Sequence, residues 1–122
     1  MKTILLAEKE KFLSGIYSYR LRASGFDVLS VVSGTEAMEK FNASDIDLVL
    51  INELLPLLSG HEVLRMIRSH AMPSKRAVPV IVLADSPDSA GIDAGLALGA
   101  NQYLFKSSHT PAEIILTAKK LL

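Results

Sequence analysis

Short apolar runs alternate with longer segments of helical period along the whole chain, and this rhythm limits the fold more than any other feature. Thr3–Ala7, Phe26–Val32, Asp47–Asn52, Val78–Ala84 and Gln102–Lys106 read as strands. Between them, Lys9–Ser24 reads as a helix with Phe12, Leu13, Ile16, Tyr17 and Leu21 on one face, stopped by Gly25. Thr35–Asn42 is a short helix, and Ser59–Ser69 turns Val63, Leu64 and Ile67 inward. Asp88–Leu98 ends at Gly99. Thr110–Leu121 has a marked start: Thr110 as cap, Pro111 at the first helical position and Glu113 to close a capping box. Five strands alternating with five helices imply a parallel sheet covered on both faces. Right-handed crossovers leave few topologies, and the order 2-1-3-4-5 suits this size. The expectation is a flavodoxin-like, doubly wound α/β domain over residues 1–122.

Composition removes several function classes. Thirteen basic residues balance thirteen acidic ones, so the basic stripe of a non-specific nucleic-acid binder is not expected. With no cysteine there is no disulfide framework and no thiolate chemistry, which fits the cytoplasm. The apolar runs are far shorter than the ~20 residues that span a bilayer. The first of them, Ile4-Leu5-Leu6-Ala7, is too short for a signal-peptide core.

In open α/β sheets, ligands bind at the carboxyl ends of the strands. The predicted strand order brings Glu8 and Lys9, Asn52, Ala84 and Asp85, and Lys106 to one edge. Asn52 matters most among them. It closes Leu48-Val49-Leu50-Ile51 and precedes Glu53-Leu54-Leu55-Pro56 and Ser59-Gly60. An amide can donate and accept hydrogen bonds, but it is a poor nucleophile and a weak ligand for a hard cation. Taken alone, Asn52 is also a reasonable neutral end to a strand. No Gly-rich phosphate loop follows the first strand, and no Ser/His/Asp set has a strand–turn–helix context. His61, His70 and His109 show no ligand spacing and are expected at the surface.

The order and spacing of these segments resemble a two-component response-regulator receiver domain along the whole chain. The carrying segments are Ile4 to Glu10, Asp47 to Pro56 with Ser59-Gly60, Pro79 to Ala84, and Gly99 to Lys106. The resemblance implies that Asn52 stands where the family has a phosphoaccepting aspartate. Glu8 and Lys9 stand where two acids help hold Mg²⁺. Ala84 replaces a Ser or Thr that binds the phosphoryl group, Tyr103 matches an aromatic switch position, and Lys106 matches the family lysine. Ser107 replaces the proline that usually follows that lysine. The chain therefore resembles a degenerate, pseudo-receiver member.

The chemistry of the changes agrees. Phosphoryl transfer needs an in-line nucleophile and cation charge. The amide of Asn52 should not form an acyl phosphate. One acid against two lysines gives Glu8, Lys9, Asn52 and Lys106 a net +1. At ~4 Å and an effective dielectric near 20, unit charges interact by ~4 kcal/mol, which should weaken or abolish Mg²⁺ binding. Asp85 would compensate if it points inward, and Lys9 or Lys106 is expected to pair with Glu8 or Asp85. Strand alternation turns Glu53 away from Asn52 and makes it a poor substitute acceptor. With Ala84 small and without a hydroxyl, Tyr103 is expected either to stay in one state that favours inward or to pack as an ordinary half-buried aromatic. Gly91 and Gly95 each weaken their helix by ~1 kcal/mol relative to Ala.

The expected function is a non-enzymatic, phosphorylation-independent signalling module of the cytoplasm. It would bind a partner protein, an attached output domain or a second copy through the fourth helix, fifth strand and fifth helix. Direct nucleic-acid and membrane binding are not expected, nor is a cofactor. Two alternatives stay open: a phosphorelay receiver accepting phosphate at a non-standard residue, and a small-anion sensor using Lys9 and Lys106 in the cleft.

Overall fold

The computed structural model describes residues 1–87 and 90–122. The described residues form, in chain order, β1 (Thr3–Ala7), α1 (Lys11–Ala23), β2 (Asp27–Val31), α2 (Gly34–Ala43), β3 (Leu48–Asn52), α3 (Gly60–Arg68), α4 (Pro73–Arg76), β4 (Val80–Ala84), α5 (Ile92–Ala97), β5 (Gln102–Phe105) and α6 (Pro111–Leu121). The five strands form one sheet in the order β2-β1-β3-β4-β5, and every pairing is parallel. The flavodoxin-like topology expected from the alternation is the one formed.

Burial explains the strand pattern. Every residue of β3 and β4 is buried, as both faces of a central parallel strand are covered by helices. The edge strand β2 instead buries only Val28 and Val31 and exposes Asp27 and Ser30. Leu5, Val49, Ile51, Val80 and Val82 pack with Phe41 of α2 and with Val63, Leu64 and Ile67 of α3. Ile4, Leu6, Leu48, Leu50, Ile81 and Leu83 face Tyr17 and Leu21 of α1 and Ile114, Ile115 and Ala118 of α6.

Four local expectations are corrected. First, there are six helices among the described residues, because Pro73–Arg76 makes one turn with no apolar period to announce it. The turn is held by Lys75, whose Nζ donates to the carbonyls of Phe41 and Ser44 at 2.7 and 2.8 Å and sits over the Phe41 ring. Second, Phe12 is 80% exposed and lies outside the core. The inward face of α1 runs through Tyr17, Ser18 and Leu21, and Phe12 is rotated off it beside α6. Third, His61, His70 and His109 are half-buried rather than free on the surface: His61 hydrogen-bonds Tyr103, His70 bonds Asn42 and the Met72 N–H, and His109 accepts from the Phe105 N–H. Fourth, the ends shift: Ser59 and Thr110 are caps rather than helical residues, and Lys106 lies just past β5. The start of the helix expected at Asp88 lies outside the described residues, and α5 is described from Ile92.

The capping box of Thr110 and Glu113 forms, with Pro111 in the first turn. A second box joins Ser59 and Glu62 at the start of α3. That helix begins hard against the tip of β3. A Cβ on Gly60 would lie 2.4 Å from the Asn52 carbonyl oxygen, so only glycine permits this approach.

Candidate functional site

The carboxyl ends of β1, β3, β4 and β5 meet at one edge of the sheet. Backbone pairing continues just past the strands and aims the tip residues. Glu8 N donates to the Val31 carbonyl at 3.1 Å, Glu53 N to Leu83 O at 2.7 Å, and Lys106 N to Ala84 O at 2.9 Å. Glu8, Asn52 and Lys106 are thereby brought together.

Glu8 is the centre of this cluster. Its side chain is wholly buried, and an ionised carboxylate there needs partners. Lys106 Nζ lies 2.6 Å from Oε1. Asn52 Nδ2 donates to both oxygens, at 3.1 and 3.0 Å, and the backbone N–H of Glu10 donates to Oε2 at 3.0 Å. With its NH₂ turned toward Glu8, Asn52 points Oδ1 the other way, where it accepts from Leu54 N at 3.1 Å. The Asn52 amide is thus satisfied on both ends and locked in one orientation.

Two residues expected in the cleft are elsewhere. Lys9 and Asp85 are exposed. Asp85 contributes its carbonyl, which accepts from Ser107 N at 3.1 Å, rather than a compensating charge. The buried cluster is therefore neutral rather than +1, with Glu8 balanced by Lys106 alone. Ala84 is buried at the tip of β4.

A second network lies on the other side of the β3 tip. Glu53 faces away from Asn52, and its Oε2 accepts from the Tyr103 hydroxyl. His61 Nε2 lies 2.8 Å from the same hydroxyl. Tyr103 is buried and inward. Burial first, then the hydrogen bond and charge of Glu53, push its phenol well above the usual tyrosine range. Glu53 and His61 were not singled out from sequence as partners of Tyr103. The signal available was alternation, which sends Glu53 to the face where Tyr103 lies.

The sheet order is the doubly wound one that the receiver resemblance implies. The chain belongs to the response regulator receiver domain family, whose model matches residues 4–119. It is 33% identical over 119 residues to the phosphate regulon transcriptional regulatory protein PhoB of Rhizobium meliloti, covering 98% of this chain and 51% of that protein. It is 31% identical over 121 residues to the alkaline phosphatase synthesis transcriptional regulatory protein PhoP of Bacillus subtilis, covering 99% of this chain and 48% of that one. The chain thus spans about half the length of the curated relatives it matches. Among solved structures, the response regulator TrrA of Thermotoga maritima in complex with Mg²⁺ and BeF superposes with a TM-score of 0.86 at 29% identity, over 100% of both chains. The chain is a receiver domain of the two-component response-regulator type.

Proposed function

We propose that this receiver domain signals through protein–protein interaction without being phosphorylated, and that its Mg²⁺ site is weak or lost. One observation carries the reading: both oxygens of Glu8 are already occupied by donors from the protein itself.

Mg²⁺ takes near-octahedral oxygen ligands at about 2.0–2.1 Å, usually including carboxylates. The cleft offers it one buried carboxylate, and the ammonium of Lys106 stands against that group. Asn52 presents its NH₂ to the cleft, and its oxygen is turned to Leu54. The residues present do not fit the cation. An amide is also no nucleophile for an acyl phosphate. The internal ion pair takes the place of the metal.

The pairing also speaks against an anion sensor. The Lys106 charge is balanced by Glu8, and Lys9 is turned to solvent. The working surface in this reading is α5, β5 and α6, where Leu96 and Leu116 are exposed and Phe105 is half-buried. Its occupant is a partner protein, an output domain or a second copy. The module is non-enzymatic and cytoplasmic, with no direct contact to nucleic acid.

The test is incubation with acetyl phosphate and millimolar Mg²⁺, read by intact mass. No added phosphoryl group is expected for the natural sequence or for Asn52→Asp, because Glu8 stays bound by Lys106 in both. A phosphoryl adduct on the natural chain that disappears in Asn52→Ala would sink the proposal.

A further inference from the structure

The Tyr103 hydroxyl has both of its hydrogen-bonding roles filled. Its single hydrogen goes to the Glu53 carboxylate, which brings none of its own. The contact with His61 must therefore run the other way, with Nε2–H donating to the phenol oxygen at 2.8 Å. The two rings meet edge-on, with centroids 6.3 Å apart and planes at 69°. These groups come from three places in the chain: the residue after β3, the first turn of α3, and β5.

Helix α5 closes over this cluster. Gly95 is its one buried residue. A Cβ there would stand 2.4 Å from Tyr103 Cε2 and 3.1 Å from His61 Nε2. At Gly91, a Cβ would stand 2.6 Å from His61 Cε1 and 3.2 Å from Glu53 Cδ. Both glycines are the floor of a slot that a side chain would fill. The helix itself is short and packs Ile92 and Leu98 only partly against the core. Its one buried position, Gly95, meets the tyrosine ring.

We infer that Glu53 and His61 are positioning residues that fix Tyr103 inward, and that Gly91 and Gly95 let α5 close on it, so that the α5–β5 surface is held in one state without modification at Asn52. This deepens the interaction-module reading and rests on it only for what the surface is used for. Burial and Glu53 hold the phenol in its protonated form, which keeps it a donor.

The test uses the whole 122-residue chain. Side-chain NMR reads the Tyr103 rotamer, and amide hydrogen exchange reads α5. The natural sequence is expected to show one inward rotamer. Glu53→Ala should let the ring sample a second rotamer and speed exchange in α5 about tenfold, as expected for losing a hydrogen bond to a charged group. Tyr103→Phe keeps the ring and should speed exchange similarly. His61→Gln keeps a donor and should behave as the natural chain, whereas His61→Leu should not. Gly95→Ala should displace the ring although its hydroxyl partners are intact. A single inward rotamer and unchanged α5 exchange in both Glu53→Ala and Gly95→Ala would overturn the inference, as would rotamer averaging in the natural chain. Neither readout involves phosphate. If the latch fails while acetyl phosphate leaves the mass unchanged, the interaction reading stands alone. If phosphate adds while the rotamer stays fixed, the latch stands and that reading falls.

Discussion

Replacing Lys106 by Met tests whether an internal ion pair organises the strand tips. Lys106 is 12% exposed in its side chain and Glu8 not at all. Breaking one side of a buried pair typically costs about 3–5 kcal/mol, because the other charge is stranded. Glu8 would keep the amide of Asn52 and the N–H of Glu10, so the cost should fall below that range, at about 2–3 kcal/mol. Glu8→Gln should cost a similar amount: its new NH₂ would face an ammonium and the NH₂ of Asn52. The double variant removes both charges and leaves no stranded ion. It should lose only about 1 kcal/mol, since neutral replacement of a buried pair is often tolerated. The coupling energy in the cycle should therefore exceed about 2 kcal/mol. Urea melts followed by circular dichroism at constant pH give each value. At about 3–5 °C per kcal/mol for a chain of this length, each single variant should also melt about 6–15 °C lower. Additive single-variant losses would refute the reasoning, since they would mean that Lys106 and Glu8 do not rely on each other.

Two further perturbations follow from groups outside the cleft. Arg68 donates to the carbonyls of Gly99, Arg76 and Val78 and to Asn101 Oδ1, tying α3 to the chain before β4 and before β5. Lysine cannot reproduce that fork, so Arg68→Lys should cost about 2–3 kcal/mol in a urea melt, and a loss under about 0.5 kcal/mol would show the fork to be dispensable. The Tyr17 phenol is pushed up to about 12, by burial first and then by the charges of Glu8 and Glu10. A folded value above the unfolded one of about 10 gives stability that is present below pH 10 and lost as pH rises toward 12. Urea melts across that window should show a shallower decline for Tyr17→Phe than for the natural chain, and equal slopes would contradict this.

The strands and their order were legible because continuous apolar runs bounded by breakers have few other readings. Topology brought Glu8, Asn52 and Lys106 to one edge but also placed there Lys9 and Asp85, which turn to solvent; strand alternation gave the opposed directions of Asn52 and Glu53. What sequence left open was decided by contacts between distant segments. Pro73–Arg76 has no apolar period, and its helical turn depends on Lys75 reaching back to the end of α2. Phe12 fits the period of α1 but sits about one residue off its buried stripe. Glu8 and Lys9 are adjacent, and only the pleat chooses which of them enters the cleft. His61 lacks ligand spacing because its partner is a phenol rather than a metal, and no spacing rule reports that.

The tip of β3 joins the two networks and also keeps them apart. Asn52 and Glu53 are consecutive, yet one faces Glu8 and Lys106 while the other faces Tyr103 and His61. A signal passing between them must move the backbone that separates them. That backbone is pinned on two sides: Glu53 N donates to Leu83 O at 2.7 Å, and Gly60 N donates to Glu53 O at 3.0 Å. The close seat of Gly60 against the Asn52 carbonyl leaves little room to shift. Two packed arrangements, rather than a continuous deformation, are what such a junction can support. The carboxylate of Glu8 is held by protein donors, and the phenol of Tyr103 by Glu53 and His61. In the proposed reading each set of contacts favours the same single arrangement, which is what a face held in one state by its own side chains requires.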